Sequence, residues 1–278
     1  MFDIKLRLFH MLGLITIIVA IILALGYTGA FKKRARLAFS VAIIGICAGF
    51  LLTLGAVLPG NNLYGPVFSH GTPNQKLVAL TFDDGPHPPY TDKILDILQE
   101  KNINATFFIV GQNAARHPEI VKRTFNEGHQ LGNHTYTHKD LLKANPETIA
   151  SEIDRTNKII YDLTGHQTHI ARPPHGFRDA VVLDIMAAKN LKVVNWSVSA
   201  RDWTSPDAEI IANRIINNIK NGSIILLHDG DSTDTSQSRK QTVKAVEKII
   251  DELLLQGYRF VTIDEILTYT EKYAAEGA

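Results

Sequence analysis

The hydrophobic pattern divides the chain into two long apolar runs followed by a region where short apolar runs alternate with amphipathic ones. Residues 9–30 are almost wholly apolar and uncharged, and residues 37–58 form a second such run. As helices, both are long enough to cross roughly 30 Å of hydrocarbon, so both are predicted transmembrane spans. From residue 76 onward the rhythm changes. The run Leu77-Val78-Ala79-Leu80-Thr81-Phe82 ends at Asp83-Asp84-Gly85-Pro86, which reads as a buried parallel-type strand stopping at a charged turn.

Helical spacing follows over 91–101, 113–127, 146–164, 179–189, 206–220 and 238–256. Gly128 and Gly165 close the second and third of these. Between them lie strand-like pieces at 105–110, 129–133, 169–172, 192–197, 223–227 and 259–262. Strands alternating with helices over some 200 residues predict one α/β domain with a parallel barrel or open parallel sheet. Residues 1–58 are then a membrane anchor, 59–75 a linker rich in Gly, Pro and Asn, and 76–278 the domain.

Charge sharpens the membrane reading. Lys32-Lys33-Arg34-Ala35-Arg36 is a compact basic loop between the spans, which the positive-inside rule keeps cytoplasmic. A multi-pass anchor in the cell membrane, with the domain on the extracellular side, is expected. Lys5, Arg7 and the small residues Thr28-Gly29-Ala30 resemble the parts of a signal peptide, but the run is long for one, and two retained spans are expected. The single cysteine, Cys47, sits inside the second span, so the exported part has no disulfide. A net charge of +1 with scattered basic residues gives no footprint for nucleic acid, and no protein partner is indicated.

Chemistry concentrates at the predicted strand ends. Adjacent strand residues face opposite ways, so Asp83 and Asp84 share one environment only if the chain turns at Asp84. The plainer alternative is a solvated Asp-Gly turn. His134-Thr135-Tyr136-Thr137-His138 sets two imidazoles four apart, on one face if the segment turns helically. With Asp84 they suit a catalytic zinc-type centre with open positions, and equally an iron facial triad.

Three further segments follow predicted strands: Arg172-Pro173-Pro174-His175-Gly176, Trp196-Ser197-Val198-Ser199-Ala200-Arg201-Asp202-Trp203 and Leu226-Leu227-His228-Asp229. In order and spacing these and the two earlier segments resemble the five motifs of the polysaccharide deacetylase family, also called carbohydrate esterase family 4 or NodB-like deacetylases. The resemblance implies a distorted (β/α) barrel that uses a divalent metal to remove acetyl groups from acetylated sugars. By position it implies Asp83 as general base, Asp84, His134 and His138 as metal ligands, and Arg172 as the residue orienting the base. It further implies His228 as general acid with Asp202 as its partner. Trp203 and Leu226 would shape a pocket for the acetyl methyl, with His175 near the oxyanion.

The chemistry is coherent with those roles. Amide hydrolysis needs a polarised carbonyl, a base for water and an acid for the departing nitrogen. Zn²⁺ is the expected metal, with Co²⁺, Mn²⁺ or Ni²⁺ compatible with the same ligands. The expected partner is an extracellular glycan polymer containing N-acetylglucosamine: peptidoglycan, chitin-like oligomers or poly-N-acetylglucosamine. Two departures from the motifs stand out: Ser199 where an acid is usual, and His175 where another aromatic is usual. The competing readings are a catalytically inactive wall-glycan-binding protein on the same fold and an iron oxygenase. The acid and base residues argue against both.

Overall fold

The computed structural model describes residues 7–27, 35–234 and 236–276. Two apolar helices come first, α1 (Leu8–Tyr27) and α2 (Ala35–Val57), and both are long and apolar enough to cross a membrane. They pack as an antiparallel hairpin. Gly45 faces Val19 and Ile15, and Gly49 faces Leu12, so the four-residue glycine spacing lets the two backbones approach closely. Outward faces carry exposed Ile17, Ile21, Phe39, Ile44 and Phe50. Lys5, Thr28-Gly29-Ala30 and Lys32-Lys33-Arg34 lie outside the described residues.

The remainder is a curled, wholly parallel sheet wrapped by helices. In chain order its elements are β1 (Leu77–Asp83), α3 (Tyr90–Lys101), β2 (Thr106–Ile109), α4 (Gly111–Arg116), α5 (Pro118–Asn126), β3 (Gln130–Asn133), α6 (Pro146–Thr164) and β4 (Ile170–Ala171). Then come α7 (Ala180–Ala188), β5 (Lys192–Val193), β6 (Val198–Ser199), α8 (Ala208–Ile216), β7 (Ser223–His228), α9 (Lys240–Leu255), β8 (Arg259–Phe260) and α10 (Ile263–Glu276). Strand order is β5-β4-β3-β2-β1-β7-β6, and β8 pairs with the start of β1. This is the half-barrel that the family resemblance implies, with the ends of the sheet, β5 and β6, left unpaired with each other.

Alternation along β1 explains why that strand is central. Val78, Leu80 and Phe82 join the outer core under α3, α8 and α9, together with Leu95, Leu98, Ile211, Val246 and Ile249. Leu77 and Ala79 face the concave side, packing with Phe108, Ile170, Val194, Ile224 and Ile266. Fully burying each such side chain contributes roughly 1.5–3 kcal/mol, so both faces of β1 are committed to core. Thr81 and Asp83, on the same alternation as Leu77 and Ala79, therefore sit on the concave side.

Local differences from the sequence reading have simple causes. The helix expected over 113–127 is two helices broken at His117–Pro118, because a residue before proline is pushed out of the helical region; His117 has φ −131° and ψ 58°. Residues 59–75 run along the domain: Phe68 bridges to Val194, His70 to Ser223, and Val67 is buried in the core around α7. Beyond β8 the chain forms α10, whose start is a reciprocal cap: Thr262 N–H donates to Glu265 Oε2 at 2.8 Å.

Candidate active site

Because all strands are parallel, their C-terminal ends open together, and the candidate residues collect there. Asp83 ends β1, and its Cα lies in register with His228 at the end of β7. His134 follows β3, and Arg172 follows β4. A cavity of about 910 Å³ at these ends is lined by Asp83, Asp84, His134, His138, His175, Trp203, Leu226 and His228. Arg172 and Asp202 are buried behind this lining, against Asp83 and His228 respectively.

Asp83 and Asp84 share the cavity because the chain turns where it had to: Asp84 has φ +78°, a left-handed conformation that Asp tolerates better than most residues. The turn is held by Asp229, whose Oδ1 accepts from Gly85 N–H at 3.1 Å and whose Oδ2 accepts from Thr91 Oγ1 at 2.7 Å. A side chain at position 85 would collide with that carboxylate. Asp229 is 1% exposed, and burial pushes its carboxyl up to about 7.

The two histidines converge through a tight turn rather than a helix, with Thr135 at φ +65° and His138 at φ +56°. The turn leans on α6: Glu152, 6% exposed, accepts from the N–H groups of Tyr136 and Thr137 at 3.0 and 2.7 Å and from Thr137 Oγ1 at 2.9 Å. Asn133 Oδ1 accepts from Thr135 N–H at 2.8 Å. The sequence reading missed both Glu152 and Asn133. A charged residue on the buried face of an otherwise apolar helix stripe was the available signal for Glu152.

Asp84 Oδ1 lies 3.4 Å from His134 Nε2 and 3.2 Å from His138 Nε2, and the three ligand atoms fall within 4.8 Å of one another. That oxygen is buried and has no hydrogen-bond partner among the described residues. His134 Nδ1 is 2.7 Å from the Arg172 carbonyl, which fixes it as the donor and turns Nε2 toward Asp84. Burial pushes His138 down to about 3, so its imidazole is neutral at physiological pH. Burial alone would raise Asp84, but the surrounding His138, His134 and His228 hold it well below the usual carboxylate range. An anionic carboxylate, two imidazoles and an orphaned oxygen fit a divalent cation.

Two ion pairs flank this trio. Arg172 is fully buried; its Nη1 donates to Asp83 Oδ1 at 2.6 Å and to Thr81 Oγ1 at 2.9 Å. Its other donors reach the carbonyls of Val194 and Asn195 at 3.0 and 3.1 Å, so the guanidinium cannot rotate without losing them. On the opposite side His228 Nδ1 lies 2.8 Å from Asp202 Oδ1, while Asp202 Oδ2 accepts from His228 N–H at 2.9 Å and from Thr242 Oγ1 at 3.0 Å. Burial would lower His228, yet Asp202, with Asp84 and Asp83 adding to it, raises it to about 9. With Nδ1 committed to Asp202, the remaining ring nitrogen, Nε2, is the one left for the cavity.

Further lining comes from Trp196, Phe177, Arg201 and Asp231, and, from the end of α2 and the residues after it, Val57 and Pro59. His175 packs edge-on against His138 with ring centroids 5.0 Å apart, and Trp203 packs edge-on against His228 at 5.3 Å. Ser199 sits at the cavity rim, where its Oγ accepts from Arg201 N–H at 3.3 Å. Every nitrogen of the Arg172 guanidinium has an acceptor without an acid at that position.

The class defined by this frame is the parallel half-barrel that works at its strand ends around a candidate metal centre. Residues 70–194 match the family described as polysaccharide deacetylase. A peptidoglycan-N-acetylglucosamine deacetylase of Bacillus cereus is 39% identical over 198 residues, covering 70% of this chain and 90% of the relative. A chitooligosaccharide deacetylase of Rhizobium leguminosarum bv. phaseoli is 40% identical over 183 residues, covering 63% of this chain and 80% of the relative. Among solved structures, a peptidoglycan N-acetylglucosamine deacetylase in complex with a naphthalenyl N-oxidanyl-benzamide aligns with a TM-score of 0.69 at 40% identity. That alignment covers 72% of this chain and 92% of the other. The chain belongs to the polysaccharide deacetylase family.

Proposed function

We propose that this chain is a membrane-anchored, metal-dependent hydrolase that removes N-acetyl groups from N-acetylglucosamine residues of an extracellular glycan, with peptidoglycan as the first choice of polymer. The observation that carries the reading is the placement of two differently paired proton-transfer groups, Asp83 and His228, in register at the ends of β1 and β7 in the cavity that also holds the Asp84–His134–His138 trio. The names of the relatives support the choice of glycan.

In this reading Asp84, His134 and His138 hold the cation, Zn²⁺ by preference. Bound there, it supplies Lewis-acid polarisation of the acetamide carbonyl and of water. Asp83, oriented by Arg172 through Oδ1, keeps Oδ2 free to take the proton from the attacking water. His228, protonated and braced by Asp202, gives a proton from Nε2 to the departing nitrogen. Leu226 and Trp203 bound the space for the acetyl methyl, and His175 lies beside it on the metal-ligand side.

The division into anchor (1–58), connecting segment (59–75) and catalytic domain (76–278) belongs to the same proposal. Retention of the first span is supported by Arg7, which is buried against Asp179 at 2.7 Å and donates to the Ala144 carbonyl at 3.0 Å and the Leu141 carbonyl at 2.5 Å. Cleavage after the first span would leave Asp179 without that partner. The test is a substrate panel. Zinc-loaded full-length protein should release acetate from peptidoglycan and from N-acetylchitotetraose but not from the fully deacetylated polymers. Binding to both glycans without acetate release would instead establish the inactive wall-binding reading.

A further inference from the structure

The anchor is built into the catalytic groove. Arg178, fully buried, points its guanidinium at the C-terminus of α2: Nη2 donates to the carbonyls of Leu58 at 2.6 Å, Pro59 at 3.3 Å and Asn61 at 2.5 Å, and Arg178 N–H donates to the Ala56 carbonyl at 3.1 Å. The next residue, Asp179, accepts from Leu8 N–H at the start of α1 and from Val182 N–H at the start of α7. A cation thus sits at the C-terminus of one anchor helix and an anion at the N-terminus of the other, each complementing its helix dipole. This clasp directly follows His175, Gly176 and Phe177, and Asn195 Nδ2 ties Pro59 to the same loop at 3.0 Å. Val57, the last residue of α2 and of its apolar window, lines the same cavity as Asp84, His134 and His138.

These contacts leave the groove little freedom to move away from the bilayer. A cavity of about 910 Å³ is only about 10 Å across, close to the roughly 5–8 Å thickness of the headgroup layer beyond the hydrocarbon. We infer that the groove opens at the membrane surface and takes a lipid-linked N-acetylglucosamine oligosaccharide, acting on the sugars nearest the lipid rather than on distant mature polymer. This rests on the deacetylase reading above and narrows its substrate class. A long flexible tether would have put the site out in the wall; the Arg178–Asp179 clasp removes that reach.

The chain provides its own depth gauge, since its two tryptophans, Trp196 and Trp203, both line the cavity. The zinc-loaded full chain is reconstituted in phosphatidylcholine vesicles brominated near the carboxyl end of one acyl chain, and its tryptophan emission is compared with that in unbrominated vesicles. Loss of most of the emission is expected. Unchanged emission overturns the inference, as does a chain that fails to float with the vesicles. In parallel, polyprenyl-phosphate-linked N-acetylchitotetraose and the free tetrasaccharide are supplied to the same vesicles. The expected result is about tenfold faster acetate release from the linked form, as membrane co-localisation raises effective concentration, with the first free amine on the lipid-proximal sugar. Removal at the distal sugar, or equal rates, overturns it. No acetate from either form would sink the deacetylase reading itself, and the emission test would still report where the groove lies.

Discussion

Asp83 and Asp84 are chain neighbours with opposite surroundings, and the difference follows from one backbone angle. Strand alternation puts Asp83 on the concave face against Arg172, and the positive φ of Asp84 swings the next carboxylate into the same cavity beside two imidazoles. The sequence showed that the two could share one environment only through a turn at Asp84. It did not show Asp229 holding that turn, because an Asp-Gly-Asp-Ser stretch looks solvated until the fold brings Gly85 and Thr91 against it. The His228–Asp202 pair gives a pH prediction. His228 is raised above its ordinary 6.5 to about 9, so its contribution to stability and the acid function proposed for it are fully present below 6.5 and are lost as pH rises through the folded value. Activity should therefore fall on an alkaline limb. A bound divalent cation opposes the raised value, placing that limb below 9 in the loaded protein. Asp202→Asn should move the limb to lower pH and cut kcat by roughly 10²–10⁴-fold, as for loss of a proton-transfer group; a pH–rate profile checks both.

At the scale of elements, the strands and most helices were legible because β1 is a continuous apolar run and the outer helices carry clean stripes. The expected α6 coincides with the observed one, residue for residue, since Asn145 caps its start by accepting from Thr148 N–H at 2.8 Å and Gly165 closes it at φ +70°. Asn145→Ala should cost about 1 kcal/mol, seen as a lower denaturant midpoint with activity intact. The break at Pro118 and the capping box at Thr262–Glu265 were also written in the chain, but an apolar period running past them concealed both. What no local pattern carried was cross-element support. Glu152 on α6 holds the turn between His134 and His138, so Glu152→Ala should weaken zinc affinity by roughly 10–100-fold while leaving the acid–base groups in place. Equilibrium dialysis against zinc, with circular dichroism to confirm the fold, measures this directly.

For the whole molecule, the hydrophobic pattern distinguished two apolar helices from an α/β region and read the stretch between them as a linker, without the contacts that hold it. The physical reason is that its partners are distant: Arg178 and Asn195 lie more than a hundred residues away, and only the fold brings their donors to the carbonyls of 58–61. A truncation beginning at Tyr64 should therefore be damaged rather than merely released. It leaves a fully buried guanidinium with the Gly176 carbonyl but without its acceptors at Leu58, Pro59 and Asn61, at about 1.5–3 kcal/mol for each lost charged hydrogen bond. Partial hydration of Arg178 would offset some of this, so a drop in Tm of about 5–15 °C relative to the full chain is expected by calorimetry. Keeping residues from Ala56 onward should recover part of it.

The central claim is that Asp83 and the Asp84–His134–His138 centre together hydrolyse an N-acetyl group. It is tested most directly by acetate release from N-acetylchitotetraose by full-length protein in three states: chelated, zinc-reloaded, and zinc-reloaded Asp83→Asn with its metal content measured. Release should vanish on chelation, return with zinc, and fall by roughly 10²–10⁴-fold in the variant although it still holds zinc. Release that survives chelation, or an Asp83→Asn protein as active as the parent, would contradict the account.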